Sequence, residues 1–133
     1  MKKTEKIIFY TPGGESFGSR IKRLIELHFS KDIIMHVKTV KEFVSALKKV
    51  LSGRGVVIAL CATKNELEEL ISLRDLLLRH QLILVLPDNE AETLSMGHSL
   101  RPRFTTFMED DLMELSAVLC RMILKDFFRR NRP

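Results

Sequence analysis

Apolar residues along this chain fall into two textures. Some cluster in short β-rich runs, and others recur every three or four positions within longer stretches. Runs of the first kind are Lys6 to Tyr10, Ile33 to Val37, Val56 to Cys61, Leu82 to Leu86 and Arg103 to Phe107. The third and fourth, VVIALC and LILVL, lack any polar alternation, which predicts parallel strands covered on both faces. Between the runs lie helical stripes. Ile21, Leu24, Ile25 and His28 make one; Val40, Phe43, Val44, Leu47, Val50 and Leu51 make a cleaner one; Leu112, Leu115, Leu119, Met122 and Ile123 make the last. A shorter and weakly apolar helix is predicted over about Asn89 to Met96, stopping before Gly97.

Helix starts are marked by side-chain chemistry. Thr39-Val40-Lys41-Glu42 and Thr63-Lys64-Asn65-Glu66 match the capping box, in which Thr and Glu satisfy orphan amides reciprocally. Asp110 and Asp111 open the last helix, where their charge suits the helix dipole. Gly53 and Gly55 close the second helix and lead into the third strand. Strand then helix, repeated five times with no linker, predicts one α/β domain over residues 1–133. Its sheet is expected to be parallel and doubly wound, with an ordered core over about 6–128 and a short basic tail.

Composition adds limits. The chain has 133 residues, 45% apolar and 29% charged, as in ordinary globular proteins. No apolar run approaches the ~18 to 20 residues that cross a bilayer. The charged start is followed only by Ile7 to Tyr10, too short for a signal peptide, so a cytoplasmic protein is expected. Cys61 and Cys120 lie in apolar segments and read as buried hydrophobes, not a disulfide framework. The net charge of +5 could attract nucleic acid, but the basic residues are interspersed with acids, so nucleic-acid association is the weaker expectation.

The order and size of these elements, with GVVIAL (Gly55 to Leu60) as the closest local match, resemble the receiver domain of bacterial response regulators across nearly the whole chain. The resemblance implies a flavodoxin-like five-stranded fold with its site at the C-terminal ends of the strands. Receivers phosphorylate an aspartate ending the third strand. They also need an acidic pair after the first strand to hold magnesium, a hydroxyl after the fourth and a lysine ending the fifth. Those positions here hold Leu60, Tyr10 with Thr11, Pro87 and Phe107. A carboxylate nucleophile and hard oxygen ligands are what the chemistry demands, and none of these residues supplies them. The resemblance therefore implies a pseudo-receiver, with no catalytic residue, no metal and no cofactor, that works through protein contacts in signal transduction.

Other candidate chemistry is thin. Gly13-Gly14-Glu15-Ser16-Phe17-Gly18 has P-loop glycine spacing, but Ser19-Arg20 stands where Lys-Ser/Thr belongs. Thr11, Gly13, Gly14, Ser16 and Ser19 could still hold an anion at a helix N-terminus, which makes a phosphate, flavin or nucleotide site the alternative function. Cys61 lacks the arginine of a phosphatase loop six residues on, where Leu67 stands. His28, His36, His80 and His98 have no ligand spacing. The segment from Met96 to Phe104 is different. Met96, His98, Arg101, Arg103 and Phe104 combine residue types favoured at interfaces, and receivers use this region to dimerise or engage partners. A protein partner, a second copy included, is expected there.

Overall fold

The computed structural model describes residues 6–12, 15–50 and 55–107, together with Ala117 and Arg121. Its elements are β1 (Lys6–Tyr10), α1 (Glu15–His28), a 3-10 turn (Lys31–Ile33), β2 (Ile34–Val37), α2 (Val40–Lys49), β3 (Gly55–Leu60), α3 (Lys64–Ser72), α4 (Arg74–Leu77), β4 (Gln81–Leu86), α5 (Ala91–His98) and β5 (Phe104–Phe107). The strands form one sheet of five in the order β2-β1-β3-β4-β5, and every pairing is parallel. That is the flavodoxin-like arrangement, with the chain reversing direction of travel beside β1 and β3.

Burial explains the texture of the strands. All six residues of β3 are buried, because it lies at the middle of the sheet with helices over both faces. Alternate side chains feed two cores. Ile8, Tyr10, Val57, Ala59, Leu82, Leu84 and Leu86 pack with Phe43, Ala46 and Leu47 of α2, Leu67 and Leu70 of α3 and Leu77 of α4. Ile7, Phe9, Val56, Ile58, Leu60, Ile83 and Val85 pack on the other side with Ile21 and Ile25 of α1.

The caps take the expected form with one difference. At α2 the box is complete, Thr39 Oγ1 accepting the Glu42 amide and Glu42 accepting the Thr39 amide. At α3, Thr63 Oγ1 accepts the Glu66 amide, but the Glu66 carboxylate reaches past Thr63 to the Ala62 N–H, 2.7 Å away. Val40, placed on the apolar stripe of α2 by sequence, is instead exposed. It occupies the first position of the helix, beyond the reach of the core.

The helix before β5 corrects the expected boundary. It runs Ala91–His98 and includes Gly97. Gly97 is buried because α5 crosses β4 closely there: a Cβ would lie 3.1 Å from Leu84 and 3.3 Å from Leu86. The turn that follows His98 closes at Arg101, whose φ of 52° is left-handed and whose amide donates to the His98 carbonyl. The last predicted helix lies outside the described residues except at Ala117 and Arg121, which are helical and exposed. Gly53 also lies outside them, as do the side chains of Leu24 and His28.

Candidate functional site

A flavodoxin-like fold places its site where the parallel strands end at their C-termini. Here the last residues of β1, β3 and β4 are buried. Tyr10, the last residue of β1, is 2% exposed and stacks on the fully buried Phe43 ring of α2, with centroids 4.1 Å apart and planes 6° from parallel. Burial, followed by the Glu69 carboxylate and then Cys61 and Glu66, pushes the Tyr10 phenol up to about 12. It remains a neutral ring at any physiological pH.

At the end of β3, Leu60 and Cys61 are both 0% exposed. Leu60 belongs to the core under α1 and Cys61 to the core under α2 and α3, so the two side chains leave the strand in opposite directions. The Cys61 amide continues the ladder by donating to the Val85 carbonyl at 2.9 Å. Burial, with the nearby Glu66 carboxylate behind it, holds the Cys61 thiol far above its ordinary value, which removes the thiolate that nucleophilic chemistry needs.

Thr11 follows β1 and is buried. Its amide donates to the Val37 carbonyl, and its hydroxyl shares a 2.9 Å hydrogen bond with His36 Nε2. The His36 ring lies against Phe9, with centroids 5.0 Å apart. Its proton affinity is lowered by burial and then by Lys22 and Lys38, against the opposing pull of Glu26 and Glu42. Sequence reading placed Thr11 in a possible anion cradle and missed His36 as its partner. Nothing local could have signalled that pairing, because it joins residues on neighbouring strands. Of the remaining cradle residues, Ser16 and Ser19 fall within α1, Ser19 being exposed, while Gly13 and Gly14 lie outside the described residues.

After β4 the chain carries Asp88, which serves α5. Its carboxylate accepts the Glu90 amide at 3.0 Å, and the buried Thr93 hydroxyl lies near it without a fully formed hydrogen bond. Thr93 and then the Glu90 amide hold the Asp88 carboxyl below its ordinary range. Lys64 at the start of α3 bridges to Glu90 at 3.3 Å and Glu92 at 2.9 Å, tying the two helix starts together. Among the described residues no group of three or more His, Cys, Asp or Glu side chains could hold a metal ion.

The second candidate surface, between α5 and β5, is divided by the sheet. His98, Arg101 and Arg103 are exposed together at the connection. Met96 instead packs into the core beneath α2 and α3, and Phe104 into the opposite core beside α1. Residues eight positions apart in sequence thus end on opposite layers. The interface types do not form one patch; of the five, only His98, Arg101 and Arg103 are exposed.

Among the described residues no helix is long and apolar enough to cross a membrane. No protein-family model matches this chain, and no curated protein matches it.

Proposed function

We propose that this chain is a non-enzymatic signalling module, a pseudo-receiver that acts by binding another protein or a second copy of itself. The observation that carries the reading is the closure of the strand ends. Leu60 stands buried where a receiver presents its phosphoacceptor, and the stacked Tyr10–Phe43 pair occupies the adjoining space. A phosphoryl-transfer site needs an accessible carboxylate with a cation beside it. Buried leucine and neutral aromatic rings offer neither.

The contact surface in this reading is His98, Arg101 and Arg103 with the adjacent strand β5, which pairs with β4 alone among the described residues. Arg101 supports it. A left-handed backbone favours glycine, so retaining an exposed arginine there opposes local stability. A side chain used for contact accounts for that choice.

Two measurements test the proposal. Incubation with acetyl phosphate and magnesium should leave the intact mass unchanged; a hydroxylamine-sensitive adduct of one phosphate would sink the non-enzymatic reading. Arg101→Glu with Arg103→Glu should weaken self-association, or retention of the partner, while the melting temperature holds. Crosslinks confined to α1 or α2 would show that the face is wrong.

A further inference from the structure

Charge is divided unevenly along the chain, and the fold gives that division a place. Between residues 22 and 49 seven lysines and arginines face three carboxylates, a net of +4; between 55 and 107 five face seven, a net of −2. The first set surrounds one edge of the sheet. β2 is the edge strand, α1 packs beside it on one face and α2 on the other. Lys31 precedes β2, Lys38 follows it, and Lys41, Lys48 and Lys49 lie on α2; all five are exposed. The excess acids lie elsewhere, on α3, on α4 and at the start of α5.

Two features set this edge apart from a solvated face of mixed charge. None of these five lysines forms a salt bridge among the described residues, in contrast to Lys64, which pairs with Glu90 and Glu92. Glu42, the one carboxylate on α2, is turned back to accept the Lys38 and Thr39 amides. In addition, Lys38 and Lys41 stand at the N-terminal end of α2, where the helix dipole disfavours cations. Lys48 and Lys49 are explained by that dipole at the other end; Lys38 and Lys41 are not.

We propose that the β2 edge and α2 form a sequence-independent docking surface for the phosphate backbone of duplex nucleic acid. Lysine is depleted at the centres of protein–protein interfaces and is a common phosphate ligand, so this composition fits a polyanion better than a protein. No aromatic side chain is among the exposed large hydrophobics of the described residues, which are Leu27, Val40 and Leu78. Among the described residues the edge therefore shows no exposed aromatic platform of the kind single strands stack on, which favours the backbone of a duplex.

The test is fluorescence anisotropy with a labelled 20-base-pair DNA or RNA duplex of arbitrary sequence. Binding should be weak, with Kd of about 10⁻⁴ to 10⁻⁶ M, and should not vary with sequence. Neutralising about four phosphates gives a log–log salt slope near −3.6, roughly a hundredfold loss between ~50 and ~200 mM salt. Lys41→Glu with Lys48→Glu should abolish binding, whereas Arg101→Glu with Arg103→Glu, which changes the net charge equally, should lower it only a few-fold. Equal loss in both variants would reduce the effect to net charge and overturn the proposal. So would no binding at low salt, binding to anionic vesicles but not to duplex, or self-association that only the lysine variant abolishes. All but the last of these outcomes leave the role of Arg101 and Arg103 in protein contact untouched, and none bears on the acetyl phosphate result.

Discussion

Replacing Phe43 with alanine should reopen the space that closes the strand ends. The ring is fully buried between the sheet and α2 and lies flat on Tyr10, so its removal leaves a void lined by apolar atoms. Phe→Ala changes in cores cost about 3–5 kcal/mol, the loss of transfer free energy being compounded by the cavity left behind. The ring pair itself accounts for roughly 0.5–1.5 kcal/mol of that. For a chain of this length each kcal/mol moves Tm by about 3–5 °C, so the variant should melt roughly 10–20 °C below the parent. Urea denaturation should show a lower midpoint with an unchanged slope. A cycle of Phe43→Leu and Tyr10→Leu should return a coupling of about 1 kcal/mol between the two positions. Because apolar cavities stay dry and take up small arenes, benzene should raise the Tm of the Phe43→Ala protein and leave the parent unaffected. A cost below about 1 kcal/mol with no coupling would refute the reasoning, because it would mean that the strand ends are open and the site is not closed by packing.

Acid should weaken the fold. His36 and His80 are both held below the ordinary 6.5, chiefly by burial; His80 donates Nε2–H to the Leu47 carbonyl at 3.1 Å, and its Nδ1 has no partner. Unfolded, each ring takes up its proton near pH 6.5, whereas the folded protein does so only at lower pH, so this stability is full above pH 6.5 and is lost as pH falls through that window. The urea midpoint should drop between about pH 7.5 and pH 5.5, above the carboxylate range, and His80→Leu should flatten the dependence; a constant parent midpoint would contradict it. Arg101→Gly should stabilise the protein by up to about 1 kcal/mol by relieving the left-handed backbone, while weakening partner contact. Lower stability in chemical denaturation would remove the strain argument. Flavin mononucleotide should leave Tm unchanged, whereas binding at a hundredfold excess over Kd would add about 2.7 kcal/mol and favour a ligand site after β1.

What the sequence determined by itself is local. β-rich apolar runs placed the five strands to within a residue at each end; the pattern is cleanest in β3 and β4, whose burial on both sides leaves no polar alternates. Thr39 and Thr63 marked helix starts because a cap acts within one turn. Contacts between elements were decided only by tertiary structure. Gly97 reads as a helix stop in sequence, yet it lies inside α5, where the helix crosses β4 so closely that a Cβ would crowd the Leu84 and Leu86 methyls. Thr11 reads as an anion ligand until β2 brings His36 to its hydroxyl. Met96 and Phe104 read as one patch until the sheet divides them. The basic excess of residues 22–49 is legible in sequence, but its place around the β2 edge is not. In each case the deciding neighbour is remote along the chain, and a one-dimensional pattern carries no term for a distance that only folding sets.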